Sequence, residues 1–211
     1  MQIRELTQEV LNNCAREAGD VLKAGGVIIF PTDTLYGLGA DALSDEAVDK
    51  IYEIKGREEK KPIHAIAADI TMMEIYGVLN DAGRALAERF FPGPITLILE
   101  KRAEFETGIA RDIETIGFRI PRNEFCVRAA RAFGRPYTAT SANKAGQEPR
   151  RTLGPILAQL GAAISLIDLA FDGGELSDRK PSTVVDVSSG EIKILREGAV
   201  LASEIQRVPI L

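Results

Sequence analysis

The sequence predicts an α/β fold, a mixed and twisted sheet with packed helices in one domain over residues 1–211. Two periodicities point there. Val10, Leu11, Cys14, Ala18, Val21 and Leu22 recur at helical spacing, whereas Val27-Ile28-Ile29-Phe30 is a short, continuously apolar run suited to a buried strand. A hydrophobic fraction of 45% with 27% charged residues supplies a core and a solvated surface. Helical and strand patterns follow one another without strict alternation, which argues for a mixed sheet.

Taken in order, the first helix stops at Gly25-Gly26, and the first buried strand follows. Ser44 is placed to cap a second helix carrying Ala47, Val48, Ile51 and Ile54 on one side. That helix ends at Lys55, where its dipole favours a cation. A charged loop, Gly56 to Lys61, breaks at Pro62 into a strand over Ile63–Ala67. Helical pattern then runs from Thr71 to Phe91 and ends at Pro92-Gly93-Pro94. Strands are expected at Ile95–Leu99 and Thr115–Ile120, then a helix over about Glu124–Ala132. Beyond Tyr137–Ser141 comes a polar loop with Pro149, then a helix near Leu153–Leu160. Strands at Ile164–Leu169, Thr183–Val187 and Ile192–Leu195 complete the body. The segment Asp172–Pro181, with Gly173-Gly174, reads as a flexible loop.

Bulk properties narrow the function. A net charge of −5 gives no global basic field for nucleic acid or acidic membrane, although a local basic cavity is compatible with it. Cys14 and Cys126 lack metal-ligand spacing and read as buried small hydrophobes. The single histidine, His64, excludes a histidine-rich metal site. The start, Met1-Gln2-Ile3-Arg4-Glu5, lacks the apolar stretch of a signal peptide, and no apolar run spans a bilayer, so a cytoplasmic location is expected.

Gly37-Leu38-Gly39-Ala40-Asp41-Ala42 matches the relaxed dinucleotide fingerprint. The next helix starts only at Ser44, however, and the acid about twenty residues on falls in the Glu58-Glu59 loop. No Walker-type loop ending in Lys-Ser or Lys-Thr occurs either. Two fixed cations in Lys55-Gly56-Arg57, with the hydroxyl and amide of Ser141-Ala142-Asn143, suit a nucleotide triphosphate instead. Read alone, the first is a solvated helix end and the second a turn.

Their company changes the reading. Pro31-Thr32-Asp33-Thr34-Leu35-Tyr36-Gly37-Leu38-Gly39, Phe91-Pro92-Gly93-Pro94-Ile95-Thr96, Gly117-Phe118-Arg119-Ile120-Pro121, Pro181-Ser182-Thr183-Val184-Val185-Asp186 and Leu195-Arg196-Glu197-Gly198 occur in one order. Together they resemble the YrdC-like family of threonylcarbamoyl-AMP synthases over about residues 10–200. The resemblance implies a twisted, mainly parallel mixed sheet around a deep concave cavity. It also implies joining of L-threonine, bicarbonate or CO2 and ATP, with Mg2+, to threonylcarbamoyl-adenylate and pyrophosphate, for transfer RNA modification. Carried over by motif, Arg57, Thr115, Ser141 and Arg196 would contact the nucleotide, with Lys55 and Asn143 completing the phosphate set. Thr34, Arg119 and Ser182 would hold threonine. On these roles, Lys55→Ala or Arg57→Ala should abolish adenylate formation with little loss of fold.

The sequence departs from the family in two places. Many members carry a histidine where this chain has Ile66; His64 lies two places earlier, on the same side of a strand, and reads as a partly buried histidine satisfied by backbone ahead of a substitute for the family residue. No further domain follows Arg196, only a tail to Leu211, which implies the short form of the family. The resemblance further implies partner proteins that receive the adenylate. It leaves a basic mouth at Lys60, Lys61, Arg150 and Arg151 as a candidate RNA contact. The alternative is a non-enzymatic RNA- or nucleotide-binding paralogue, against which the retention of Lys55, Arg57, Ser141 and Asn143 argues.

Overall fold

Local chemistry accounts for most of the elements in the computed structural model, which describes residues 1–56 and 62–210. The edge strand β1 (Gln2–Glu5) leads into α1 (Leu11–Lys23), which buries Leu11, Cys14, Ala15, Ala18 and Leu22 on one side. The fully buried β2 (Ile28–Pro31) pairs antiparallel with β3 (Tyr36–Gly39). Helix α2 (Asp45–Lys55) starts where the Ser44 side chain accepts a hydrogen bond from the Ala47 N–H. It ends at Gly56, whose φ of 62° is the left-handed conformation that glycine adopts without strain. Next come β4 (His64–Ile66), α3 (Ile70–Tyr76) capped by Asp69, β5 (Gly77–Val78) and α4 (Asp81–Phe90) capped by Asn80.

The second half contains β6 (Ile95–Lys101), β7 (Thr115–Arg119), α5 (Glu124–Phe133) capped by Asn123, and β8 (Tyr137–Ser141). The chain then forms α6 (Leu153–Leu160), β9 (Leu169–Asp172), β10 (Thr183–Asp186), β11 (Lys193–Arg196) and the short α7 (Ala202–Ile205).

The strands form one continuous mixed sheet in the order β1-β9-β2-β3-β8-β4-β7-β6-β10-β11, with β5 beside β6. Parallel pairs join β1 to β9, β9 to β2, β4 to β7 and β6 to β10. The other pairs are antiparallel, so six of the ten strands along the path run one way and four the other. Side-chain alternation divides the core in two. Ile51, Ile54, Leu97, Leu99, Phe118 and Leu160 fill the layer beneath α2, α4 and α6. On the other face Leu22, Phe30, Phe125, Tyr137 and Phe171 pack under α1 and α5. Phe125 and Phe171 rings meet there at 4.5 Å. Cutting the fully buried Leu22 to alanine would cost about 2–5 kcal/mol by lost burial plus the cavity left behind.

Three details correct the sequence reading. The helical run over Thr71–Phe91 is two helices, broken by the β5 pairing of Gly77 with Lys101 and restarted by the Asn80 cap. The strand expected at Ile164–Leu169 is a 3₁₀ turn over Gly161–Leu166 followed by β9 at Leu169–Asp172. β1 and β3 were not anticipated, the first being polar and exposed and the second half glycine. No helix among the described residues is long and apolar enough to cross a membrane.

Candidate active site

Helices α1 and α5 leave part of their face of the sheet uncovered, and a cavity of about 370 Å³ opens there. Its wall includes Thr34, His64, Arg119, Ser141, Ser182 and Arg196, brought from β4, β7, β8, β11 and the loops beside β2 and β10. Pro62, Pro149 and Pro181 frame it. A larger groove of about 710 Å³ lies between α4 and the C-terminal segment, and its lining contains none of the residues singled out from the sequence. The smaller cavity holds the chemistry.

Arg119 anchors the floor. Its Nη1 donates to Thr34 Oγ1 at 2.8 Å, its Nε reaches the Gly93 carbonyl at 3.4 Å, and its Nη2 pairs with the Asp33 carboxylate. Both partners of that ion pair have side chains only 5% exposed. Burial lowers the Arg119 pKa, with Asp33 opposing the shift and Arg196 reinforcing it. The turn holding Thr34 is fixed by Thr32, whose Oγ1 accepts from the Thr34 and Leu35 N–H groups at 3.0 and 3.1 Å. Two hydroxyls and a guanidinium thus converge where a small carboxylate would fit.

Opposite, the buried Ser182 hydroxyl lies 3.0 Å from Thr96 Oγ1. Its carbonyl accepts from Arg196 Nη2 at 2.9 Å and from Nε at 3.3 Å, which aims that guanidinium along the wall. Burial lowers the Arg196 pKa too. The Gly198 N–H donates to Thr183 Oγ1 at 2.9 Å, holding the Arg196-Glu197-Gly198 segment against β10.

Lys55 is placed differently from the sequence expectation of a phosphate-facing cation. It is 1% exposed, and its Nζ donates to the Ser141 carbonyl at 2.5 Å, the Asn143 carbonyl at 2.9 Å and Asn143 Oδ1 at 3.4 Å. Asn143 in turn donates through Nδ2 to the Gln147 carbonyl at 2.5 Å and the Lys144 carbonyl at 3.0 Å. Neither lines the cavity; together they brace the loop that presents Ser141. Thr115 is the first residue of β7, on the same side of the strand as Arg119, and does not line the cavity either. Arg57, Lys60 and Lys61 lie outside the described residues. Of the other basic candidates, Arg150 and Arg151 are exposed, and Arg151 pairs with Asp178.

Two residues gain a role that the motifs did not signal. Asp33 is the charge partner of Arg119 across 86 positions, a pairing that no local spacing encodes. Tyr36 Oη donates to the Gly174 carbonyl at 2.7 Å and accepts from the Gly173 N–H at 3.0 Å, anchoring the segment after β9 at the cavity rim. His64 faces the cavity, whereas Ile66 is buried under α1 and α5. Burial, then the charges of Arg119 and Arg196, pushes the His64 imidazole down to about 3. Cys14 and Cys126 are buried free thiols, and burial drives Cys126 up to about 12, leaving it inert.

The described lining contains cations, hydroxyls and a neutral imidazole but no carboxylate, and so suits anionic ligands. Among the described residues no group of three or more His, Cys, Asp or Glu converges as a metal cage. Comparison with known proteins agrees with this anatomy. Residues 20–198 match the Sua5/YciO/YrdC family model, described as telomere recombination. A putative threonylcarbamoyl-AMP synthase of Methanocaldococcus jannaschii is 33% identical over 207 residues, covering 98% of this chain and 96% of that protein. The threonylcarbamoyl-AMP synthase of Pyrococcus abyssi is 32% identical over 92% of this chain, which spans only 56% of that longer relative. The crystal structure of P. abyssi Sua5 complexed with L-threonine superposes with a TM-score of 0.90 at 30% identity, over 99% of this chain and 61% of that one. With a family match running through nearly every element that builds the cavity, and relatives alike along almost the whole sequence, this chain belongs to the Sua5/YciO/YrdC family.

Proposed function

We propose that the cavity joins L-threonine, bicarbonate or CO2 and ATP into L-threonylcarbamoyladenylate and releases pyrophosphate, as a nucleotidyltransferase acting toward transfer RNA modification. The observation that carries this reading is a pair of guanidiniums, Arg119 and Arg196, on one carboxylate-free wall, in a chain 33% identical to a putative synthase of this kind. Arg119 with Thr34 and Ser182 supports the threonine end, as an L-threonine complex of a relative with the same fold also does. Arg196, Ser141 and Arg57 are assigned to ATP. Lys55 and Asn143 serve by holding Ser141 in place.

Magnesium enters as part of the substrate, bound to the phosphates of ATP, because the described wall offers hydroxyls but no carboxylate to hold it. The amine of threonine bonds to the carbon of CO2 or bicarbonate. A carbamate oxygen then attacks the α-phosphorus, and the bond to pyrophosphate breaks. No enzyme nucleophile is required. The protein contributes alignment of the two anions and charge stabilisation as pyrophosphate leaves, in a recess that limits water around a labile carbamate. The adenylate then passes to acceptor proteins of the modification pathway.

The test is pyrophosphate release by purified protein with ATP, magnesium and bicarbonate, with and without L-threonine. Release that depends on threonine is the expected result. A folded, ATP-binding protein that releases none would overturn the assignment.

A further inference from the structure

The reaction requires a proton acceptor. Threonine enters as an ammonium ion, and its nitrogen has no lone pair for the carbon of bicarbonate until a proton leaves. Arginine stays charged at any working pH, and serine and threonine hydroxyls are too weak as bases to take that proton. Among the described residues lining the cavity, His64 therefore carries the one neutral nitrogen base.

Its position fits the task. β4 lies between β7 and β8, with Ile66 opposite Arg119 and His64 opposite Ala139. The imidazole thus stands near both the carboxylate-binding corner and the Ser141 loop. Gly117 on β7 makes room: a Cβ there would come within 3.0 Å of His64 Cβ and 2.9 Å of Ile98 Cδ1. No side-chain hydrogen bond engages the ring among the described residues, and the residue remains partly exposed at the cavity wall.

We propose that His64 receives the proton that the threonine ammonium loses, which makes it a catalytic residue of the carbamate-forming step. This rests on the reading of the cavity given above. The step balances: ammonium and neutral imidazole become amine and imidazolium, amine and bicarbonate become carbamate and water, and imidazolium returns its proton to solvent.

The surroundings also make the base conditional on substrate. Among the described residues, the charged groups around His64 are Arg119 on β7, Arg196 on β11 and, behind Arg119, Asp33; β8 carries only Tyr, Thr, Ala, Thr and Ser, with the Lys55 ammonium pinned at its end. In the ligand-free cavity, burial and then the two guanidiniums disfavour an imidazolium. A substrate carboxylate on Arg119 and phosphates beside Arg196 offset the guanidiniums' share, so the imidazole is a stronger base with both substrates bound than in the empty cavity.

The experiment compares wild type, His64→Gln and His64→Ala in steady-state adenylate synthesis across about pH 6 to 9. Melting temperatures and ATP affinity are measured alongside. The expected result is a fall in kcat of roughly 10²–10⁴-fold with ATP affinity within about twofold of wild type. The loss should shrink as rising pH supplies neutral threonine from solution, and free imidazole should restore part of the rate of His64→Ala. Glutamine keeps the ring's volume and polarity, so His64→Gln decides the matter if alanine fails to fold. Wild-type turnover by His64→Gln, or a loss that is the same at every pH, would overturn the proposal. A wild-type protein that makes no adenylate defeats the functional reading first, and that outcome is read before any variant is compared.

Discussion

Replacing Lys55 with methionine keeps the apolar stem of the side chain and deletes the charge that ties α2 to the Ser141–Asn143 loop. Among the described residues the ammonium serves three acceptors, at 2.5, 2.9 and 3.4 Å, and Lys55 is 1% exposed. The Ser141 carbonyl keeps the Asn143 N–H at 2.9 Å, and each of the two Asn143 oxygens left without a donor costs about 1–3 kcal/mol. Relief from burying a charge returns part of that sum, so the net loss is about 2–5 kcal/mol. For a domain of this size that is a fall of about 5–15 °C in melting temperature. ATP affinity should fall with it, because Ser141 loses its support. The sequence alone gave Lys55 a phosphate contact and expected little loss of fold; its burial replaces that with a joint loss. Thermal unfolding and ATP titration of Lys55→Met read the two effects separately. A variant that melts within about 2 °C of wild type but no longer binds ATP would show that Lys55 acts on the ligand and not on the loop.

Other predictions use the same geometry. Arg119→Lys keeps the charge but cannot reach Asp33, Thr34 and the Gly93 carbonyl from separate nitrogens; calorimetry should show threonine binding weakened at least tenfold, about 1.4 kcal/mol, with ATP binding retained. Equal threonine affinity would remove Arg119 from that subsite. Gly117→Ala should cost about 1–3 kcal/mol in urea unfolding and lower the rate by displacing His64; a neutral outcome would mean that β7 has slack there. Tyr36→Phe frees the Gly173 and Gly174 backbone and should make proteolysis within Asp172–Pro181 faster, an effect absent if Tyr36 does not anchor that segment. The depressed His64 pKa sets a pH dependence. Below about pH 6.5 the unfolded chain takes up a proton there that the folded chain refuses, so this contribution is complete above that pH and drains away as pH falls toward 3. Urea midpoints of His64→Gln should therefore fall less steeply with acid than those of wild type, and parallel curves would contradict the burial of that ring.

Elements whose signal is local were legible in the sequence. The α1 stripe, the Ser44 cap and the β2 run each write their structure into adjacent residues. β3 was hidden because Gly37 and Gly39 have low strand propensity, and the structure places them there so that the sheet can close over the Phe30 ring, within 2.7–2.9 Å of where a Cβ would stand. β9 was misplaced by several residues because its register is set by β1 and β2, far away in sequence. The site divides in the same way. Thr34, Arg119, Ser141, Ser182 and Arg196 were named from motif resemblance, and the fold gathers them at one wall. Whether a cation faces the cavity or lies buried behind it depends on partners 86–88 positions away, as for Lys55, and spacing carries no such information.

The most direct test of the synthase reading supplies carbon-13-labelled bicarbonate with L-threonine, ATP and magnesium, and weighs the nucleotide product by mass spectrometry. The account predicts L-threonylcarbamoyladenylate carrying the label, formed in step with pyrophosphate. Unlabelled AMP or untouched ATP, from protein shown to be folded and to bind both substrates, would contradict it.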